Sequence, residues 1–275
     1  MRKIFSVLIM ICMALALCGC GSNNEGTEPV EDNTFVVGME CNYAPFNWTT
    51  LETNEHTVAI SSVDYADGYD VMIAQLIADA MGKELVIKKI EWDGLEPAVN
   101  SGEIDAIIAG MTATPAREEN VDFTTPYYES EMVLIVRADS AYVNATSIQD
   151  FGGAKVLGQL NTLYDEVIDQ IEGVNHVTPL KTYPMMVVAL QSGDVDALTA
   201  ELPVAQGIVS SNPDLVMVRF SAENGFEADT TVSIAVQEGN TELLNAVQAA
   251  LDNISVEDRV QMMADATNRQ PAVEE

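Results

Sequence analysis

Ala98-Val99-Asn100-Ser101-Gly102-Glu103-Ile104-Asp105-Ala106-Ile107-Ile108-Ala109-Gly110 returns as Ala189-Leu190-Gln191-Ser192-Gly193-Asp194-Val195-Asp196-Ala197-Leu198-Thr199-Ala200-Glu201. Without gaps, six of the 13 positions are identical and five more are conservative. Each copy reads as a helix end, a glycine stop, an acidic turn and a short apolar strand. Two such units 91 residues apart predict two similar lobes. Ligands of open α/β sheets bind beyond the carboxyl ends of the strands. The strand ends here are Gly110 and Glu201, so these positions should face one another across a cleft that closes on something small.

The surrounding sequence supports an α/β chain. Thr34 to Gly38 reads as the first strand, and Tyr69 to Met81 as a helix stopped by Gly82. Glu40 to Thr49 reads as a loop, and Thr50 to Asp67 as a polar excursion with a hairpin. Leu85 to Ile90, Val121 to Phe123 and Lys155 to Gly158 read as strands. Leu95 to Asn100, Pro184 to Gln191 and Thr241 to Asn253 read as helices, with a weaker one over Val256 to Ala266. Met132 to Val136 is expected to be the first crossing between lobes and Thr230 to Val236 the return. Alternating strands and helices with short links imply mostly parallel sheets.

Between the first strand end and the next helix lies Gly110-Met111-Thr112-Ala113-Thr114-Pro115-Ala116-Arg117. Thr114 can cap a helix that has Pro115 at its first position. A strand end, a small-residue loop with Gly110, Met111 and Thr112, and a helix N-terminus make a ready anion site, with free N–H groups and the positive dipole end. Arg117 in the first turn opposes the helix dipole, but a carboxylate ligand would favour it, because guanidinium and carboxylate match as a fork. The alternative is an arginine paired with Glu118 or Asp122, or simply solvated. Thr162, opening a helix in the second lobe, offers another hydroxyl to an anion. Glu201 suits an ammonium group. Carboxylate and ammonium held together describe an α-amino acid. Tyr43 and Trp92 are candidate pocket walls, which would also favour a cationic side chain between them. Glu40, just past the first strand, faces either the ligand side chain or solvent. Phe46, Trp48, Met185 and Met186 are expected in the core.

Formal net charge is −31, which disfavours nucleic acid and anionic lipid as partners. Arg2 and Lys3 followed by the uncharged apolar stretch Ile4 to Leu17 form a secretory signal, and Leu17-Cys18-Gly19-Cys20 resembles the lipidation site of bacterial lipoproteins. The expected organisation is a signal over 1–20 ending at lipidated Cys20, and a polar tether over 21–33. Processing would remove two positive charges, leaving −33, and only Cys41 unmodified, so no internal disulfide is expected. His56 and His176 lack ligand spacing, so no metal site and no cofactor are expected. No nucleophile, general-acid set or phosphate loop is readable.

With these residues in hand, the chain resembles the bacterial extracellular solute-binding proteins of family 3, the amino-acid receptors of ABC importers. The resemblance runs through Val37-Gly38-Met39-Glu40 to Tyr43-Ala44-Pro45-Phe46, Gly68-Tyr69-Asp70-Val71, Trp92-Asp93-Gly94-Leu95, Ile104 to Arg117, and Asp122-Phe123-Thr124-Thr125-Pro126-Tyr127-Tyr128. It implies two Rossmann-like lobes joined by two hinge strands, of the type II periplasmic-binding-protein kind. Lobe 1 is expected over 34–134 plus 232–275 and lobe 2 over 135–231. It further implies Arg117 as the carboxylate clamp with Thr112 and Thr162, Glu201 for the α-amino group, Tyr43 and Trp92 around the side chain, and Glu40 at its end. Asn161 stands where the family has glycine before the lobe-two threonine, so a different loop backbone is expected there. The function implied is a monomeric, lipid-anchored extracytoplasmic receptor delivering a polar, cationic amino acid to an ABC permease. The alternatives are glutamine as ligand, a dehydratase-type enzyme on the same scaffold, and a ligand-sensing module.

Overall fold

Each copy of the repeat builds the same piece of structure in the computed structural model, which describes residues 33–271. The signal segment with Cys20 and the tether up to residue 32 lie outside the described residues. In the first copy, helix Leu95–Asn100 leads through Gly102 at φ +74° to strand Ala106–Ile107. In the second, helix Tyr183–Gln191 leads through Gly193 at φ +81° to strand Ala197–Glu201. The left-handed backbone at both turns explains the glycine in both copies. The repeated aspartates also share a task. Asp105 accepts from the Val36 N–H at 2.8 Å and Asp196 from the Lys155 N–H at 2.9 Å. Each carboxylate thus ties its own strand to the neighbouring parallel strand.

Two five-stranded sheets follow the same plan. The first runs in the order Glu84–Lys89, Thr34–Met39, Ala106–Ile107, Ala235–Gln237, Val121–Phe123. The second runs Asn175–His176, Lys155–Leu157, Ala197–Glu201, Met132–Arg137, Leu215–Val218. In each, the fourth strand opposes the other four. That reversed strand is the one entering directly from the opposite sheet. The expectation of mostly parallel α/β sheets therefore holds.

The crossings differ from the sequence reading. Met132–Arg137 does not cross; it is an internal strand of the second sheet, paired on both sides with Ala197–Glu201 and Leu215–Val218. Its unbroken apolar run is what a strand buried on both faces requires. The first crossing lies just ahead, where Tyr128–Glu129 pairs antiparallel with Thr231–Val232 of the return. The return is also two short strands rather than one, broken where the Ser233 N–H donates to the Met111 carbonyl at 2.8 Å. A lobe limit after residue 134 would cut the internal strand, so we propose limits within the Tyr128–Glu129 and Thr231–Val232 ribbon.

Glu40 to Thr49 holds strands rather than a loop. Asn42–Tyr43, Asn47–Thr50, Tyr65–Asp67 and Val58–Ala59 form a four-stranded sheet, into which the polar excursion folds as a hairpin. Phe46 and Trp48 are buried there, as expected. Met186 is in the core, but Met185 is half exposed on the outer face of its helix. The last helix, Val256–Arg269, runs three residues beyond its expected end. No helix among the described residues is long and apolar enough to cross a membrane.

Candidate functional site

The ends of strands from both sheets converge on one cavity. It is lined by Glu40, Tyr43, Trp92, Gly110, Thr112, Arg117 and Thr162, seven of the residues singled out by sequence, together with Gln159 and Tyr164. A larger open groove passes Glu131 and Arg219 on the second lobe, but those two side chains are paired with each other there. Glu201 lies behind the cavity wall, fully buried, and accepts a hydrogen bond from the Tyr43 hydroxyl. Met111 does not reach the cavity; it is buried and its carbonyl is taken by Ser233.

Arg117 is placed as the turn chemistry predicts. Thr114 caps helix Pro115–Glu118 and its side chain accepts from the Arg117 N–H at 3.4 Å. Only four residues are helical, so the dipole adds little to anion binding, and the guanidinium is the main positive group. Its Nη1 donates to the Thr112 carbonyl at 3.0 Å and its Nη2 to the Asn161 carbonyl at 3.2 Å. The guanidinium carbon sits 5.1 Å from the centre of the Trp92 ring. The acidic neighbour is Glu96 at 3.5 Å, not Glu118 or Asp122. Burial lowers the arginine pKa and Glu96 opposes that shift. The group still stays charged, because guanidinium starts so high.

Two buried carboxylates belong to the same site. Glu201 is pushed up to about 8 by burial, against the bond from Tyr43. The Tyr164 and Ser130 hydroxyls face the same carboxylate, but its Oε2 has no well-formed partner. Glu40 is pushed up to about 7 by burial, against the Gln159 amide that donates to it at 3.0 Å, with Glu91 and Asp93 raising it further. Its Oε1 is buried and unpartnered. A buried carboxylate left incompletely hydrogen-bonded costs free energy that a cationic partner would recover.

Thr162 opens helix Leu163–Glu166, but its hydroxyl donates to the Gln159 carbonyl at 2.8 Å rather than capping. Asn161 adopts φ +58°, the left-handed conformation a glycine would take. Asparagine tolerates that region better than most residues, so its presence does not by itself demand a different backbone.

Gln159, Asn161, Tyr164, Asp70 and Tyr127 escaped the sequence reading of the site. Gln159 follows a strand end much as Glu40 does, and the same positional argument would have found it. Asp70 is fully buried and pushed up to about 7 by burial. It accepts from the Tyr127 hydroxyl at 2.7 Å and from Asn47 Nδ2 at 2.8 Å. The Tyr127 oxygen in turn accepts from the Gly110 N–H at 3.0 Å, fixing the strand end at the cavity. Gly110 sits at φ +63°, and a Cβ there would come within 2.9 Å of the Tyr43 ring. Gly110→Ala should therefore cost about 1–3 kcal/mol of folding stability. Denaturant titration reads this directly, and an unchanged midpoint would mean that the turn is not constrained.

Comparison with known proteins places this geometry. The family model of bacterial extracellular solute-binding proteins, family 3, matches residues 35–266. A Campylobacter jejuni protein named "Probable histidine-binding protein" is 30% identical over 229 residues, covering 82% of this chain and 84% of its own. The ABC transporter glutamine-binding protein GlnH of Bacillus subtilis is 28% identical over 267 residues, covering 94% of each. Among solved structures, the amino-acid ABC transporter substrate-binding protein AbpA of Streptococcus pneumoniae, bound to L-arginine, matches with a TM-score of 0.75 and 26% identity. That match covers 88% of this chain and 97% of AbpA.

Proposed function

This chain belongs to the bacterial extracellular solute-binding proteins of family 3, and from that premise we propose that its cleft binds a cationic L-amino acid for delivery to an ABC importer. Its family and its structural neighbours bind solutes rather than transform them, so the enzyme reading falls away. The single observation supporting the ligand class is the polarity of the cavity. One guanidinium, Arg117, and one buried acid, Glu40, line it, and a second buried acid, Glu201, lies behind the Tyr43 hydroxyl.

In this reading Arg117 takes the α-carboxylate, with Thr112 and Thr162 beside it. Glu201 exchanges the Tyr43 hydroxyl for the α-ammonium group. Glu40, kept in place by Gln159, meets the positive end of the side chain, and Tyr43 and Trp92 hold its apolar stem. Closure follows from contacts that each lobe contributes to one ligand, which favour the state where both touch it. The protein acts as a monomer outside the cytoplasm, tethered through lipid on Cys20. Glutamine is the second reading, because the amide of Gln159 already rests on Glu40, and a ligand amide could take that place.

Thermal unfolding against the twenty amino acids separates the two. A ligand at about 100 times its dissociation constant adds about 2.7 kcal/mol, a midpoint shift of several degrees. Selective shifts with arginine, lysine or histidine support the cationic pocket. A shift with glutamine alone assigns Glu40 to amide recognition.

A further inference from the structure

Asn161 makes more contacts across the cleft than its place in the backbone requires. It belongs to the second lobe, and three of its hydrogen bonds reach the first. Its carbonyl accepts from Trp92 Nε1 at 3.0 Å and from Arg117 Nη2 at 3.2 Å. Its side chain donates from Nδ2 to Asp93 Oδ1 at 2.7 Å. Glycine would adopt φ +58° at no steric cost and keep both carbonyl bonds. The one thing asparagine adds is the bond to Asp93. That bond is short and charge-assisted, and it lies at the exposed mouth of the cavity rather than within it.

We propose that Asn161 and Asp93 form a side-chain latch that holds the two lobes together and slows release of the bound amino acid. The inference rests on the hinge-closure reading above. The physical basis is differential. When the lobes part, both side chains meet water and lose only this mutual contact, so the bond favours the closed arrangement alone. Its exposure keeps the effect modest, as suits an adjustment of residence time rather than a determinant of folding. Asn161 is thus a positioning residue for closure, acting beside the ligand rather than on it.

The latch is separable from structure because Asn161→Gly removes one side-chain bond and relieves a left-handed asparagine. Unfolding of the variant without ligand should therefore stay close to the parent midpoint, whereas release of L-arginine after rapid dilution should be roughly three- to tenfold faster. The closed population is read independently. Spin labels at Ala80→Cys on the first lobe and Glu172→Cys on the second report interlobe distances in the chain from residue 21 onward, which contains the whole unit from Asn33 to Glu275. Buried Cys41 stays unlabelled. Distances are recorded alone and with L-arginine, L-histidine or L-glutamine. Expected are longer distances in Asn161→Gly and in Asp93→Ala, with no further change in the double variant. If no amino acid alters distance or stability, the receptor reading fails, and the latch is judged on the unliganded distances alone. Distances in Asn161→Gly that match the parent in every condition overturn the latch.

Discussion

Arg117→Ala weakens amino-acid binding by about 2–5 kcal/mol, the range for removing one partner of a buried charge pair. The guanidinium is 12% exposed and already oriented by the Thr112 and Asn161 carbonyls and the Trp92 face. An incoming carboxylate therefore meets a fork whose rotamer is fixed, and little ordering remains to oppose binding. Truncation leaves the ligand carboxylate desolvated without a cation. Arg117→Lys should fall well short of rescue, since an ammonium can neither reach both carbonyls as a planar fork nor stack in the same way. Isothermal titration of parent and variants measures the loss. A change below about 0.5 kcal/mol would remove Arg117 from the binding machinery.

Affinity should rise with pH through the neutral range, by roughly tenfold per unit below the controlling pKa. Glu201 stands at about 8 and Glu40 at about 7, both raised by burial. An ammonium is held by the ionised carboxylate, so below about pH 8 binding must expel a proton from Glu201, and below about pH 7 a second one from Glu40. The rise therefore flattens above about pH 8. Glu201→Gln should abolish the slope between about pH 7 and 8, leave the part below about 7 that belongs to Glu40, and weaken binding at pH 8. A slope between about pH 7 and 8 that survives in Glu201→Gln assigns that proton to another group.

The same carboxyls act on folding with the opposite sign. Glu201, Glu40 and Asp70 are protonated in the folded chain and ionised in the unfolded one between the ordinary carboxylate range and about 7 to 8. The folded state then holds more protons, so stability of the free protein falls as pH rises through that window. Ligand should offset this, because it takes up the charge of Glu201.

The repeat made the two sheets legible because its glycines and aspartates each answer a local demand. Gly102 and Gly193 supply positive φ, and Asp105 and Asp196 clamp adjacent strands. Thr114-Pro115 was legible as a cap for the same reason. The crossing was not, because an apolar run such as Met132–Arg137 is equally suited to any buried strand, and pairing partners are a tertiary fact. Strand-end position found Glu40, Gly110 and Glu201. It missed Glu96 beside Arg117 and the Asp70–Tyr127–Gly110 chain, whose members meet only after folding. Met111 is a candidate that does not line the cavity, because its side chain is buried in the core and its carbonyl accepts from the Ser233 N–H.

The most direct measurement is a crystal structure of the chain with the amino acid that most raises its unfolding temperature. Expected is one ligand in the cleft between the lobes, its α-carboxylate on Arg117 and its α-ammonium on Glu201, with the Tyr43 hydroxyl displaced from that carboxylate or sharing it. A ligand with the opposite polarity, or one bound outside the cleft, contradicts the clamp.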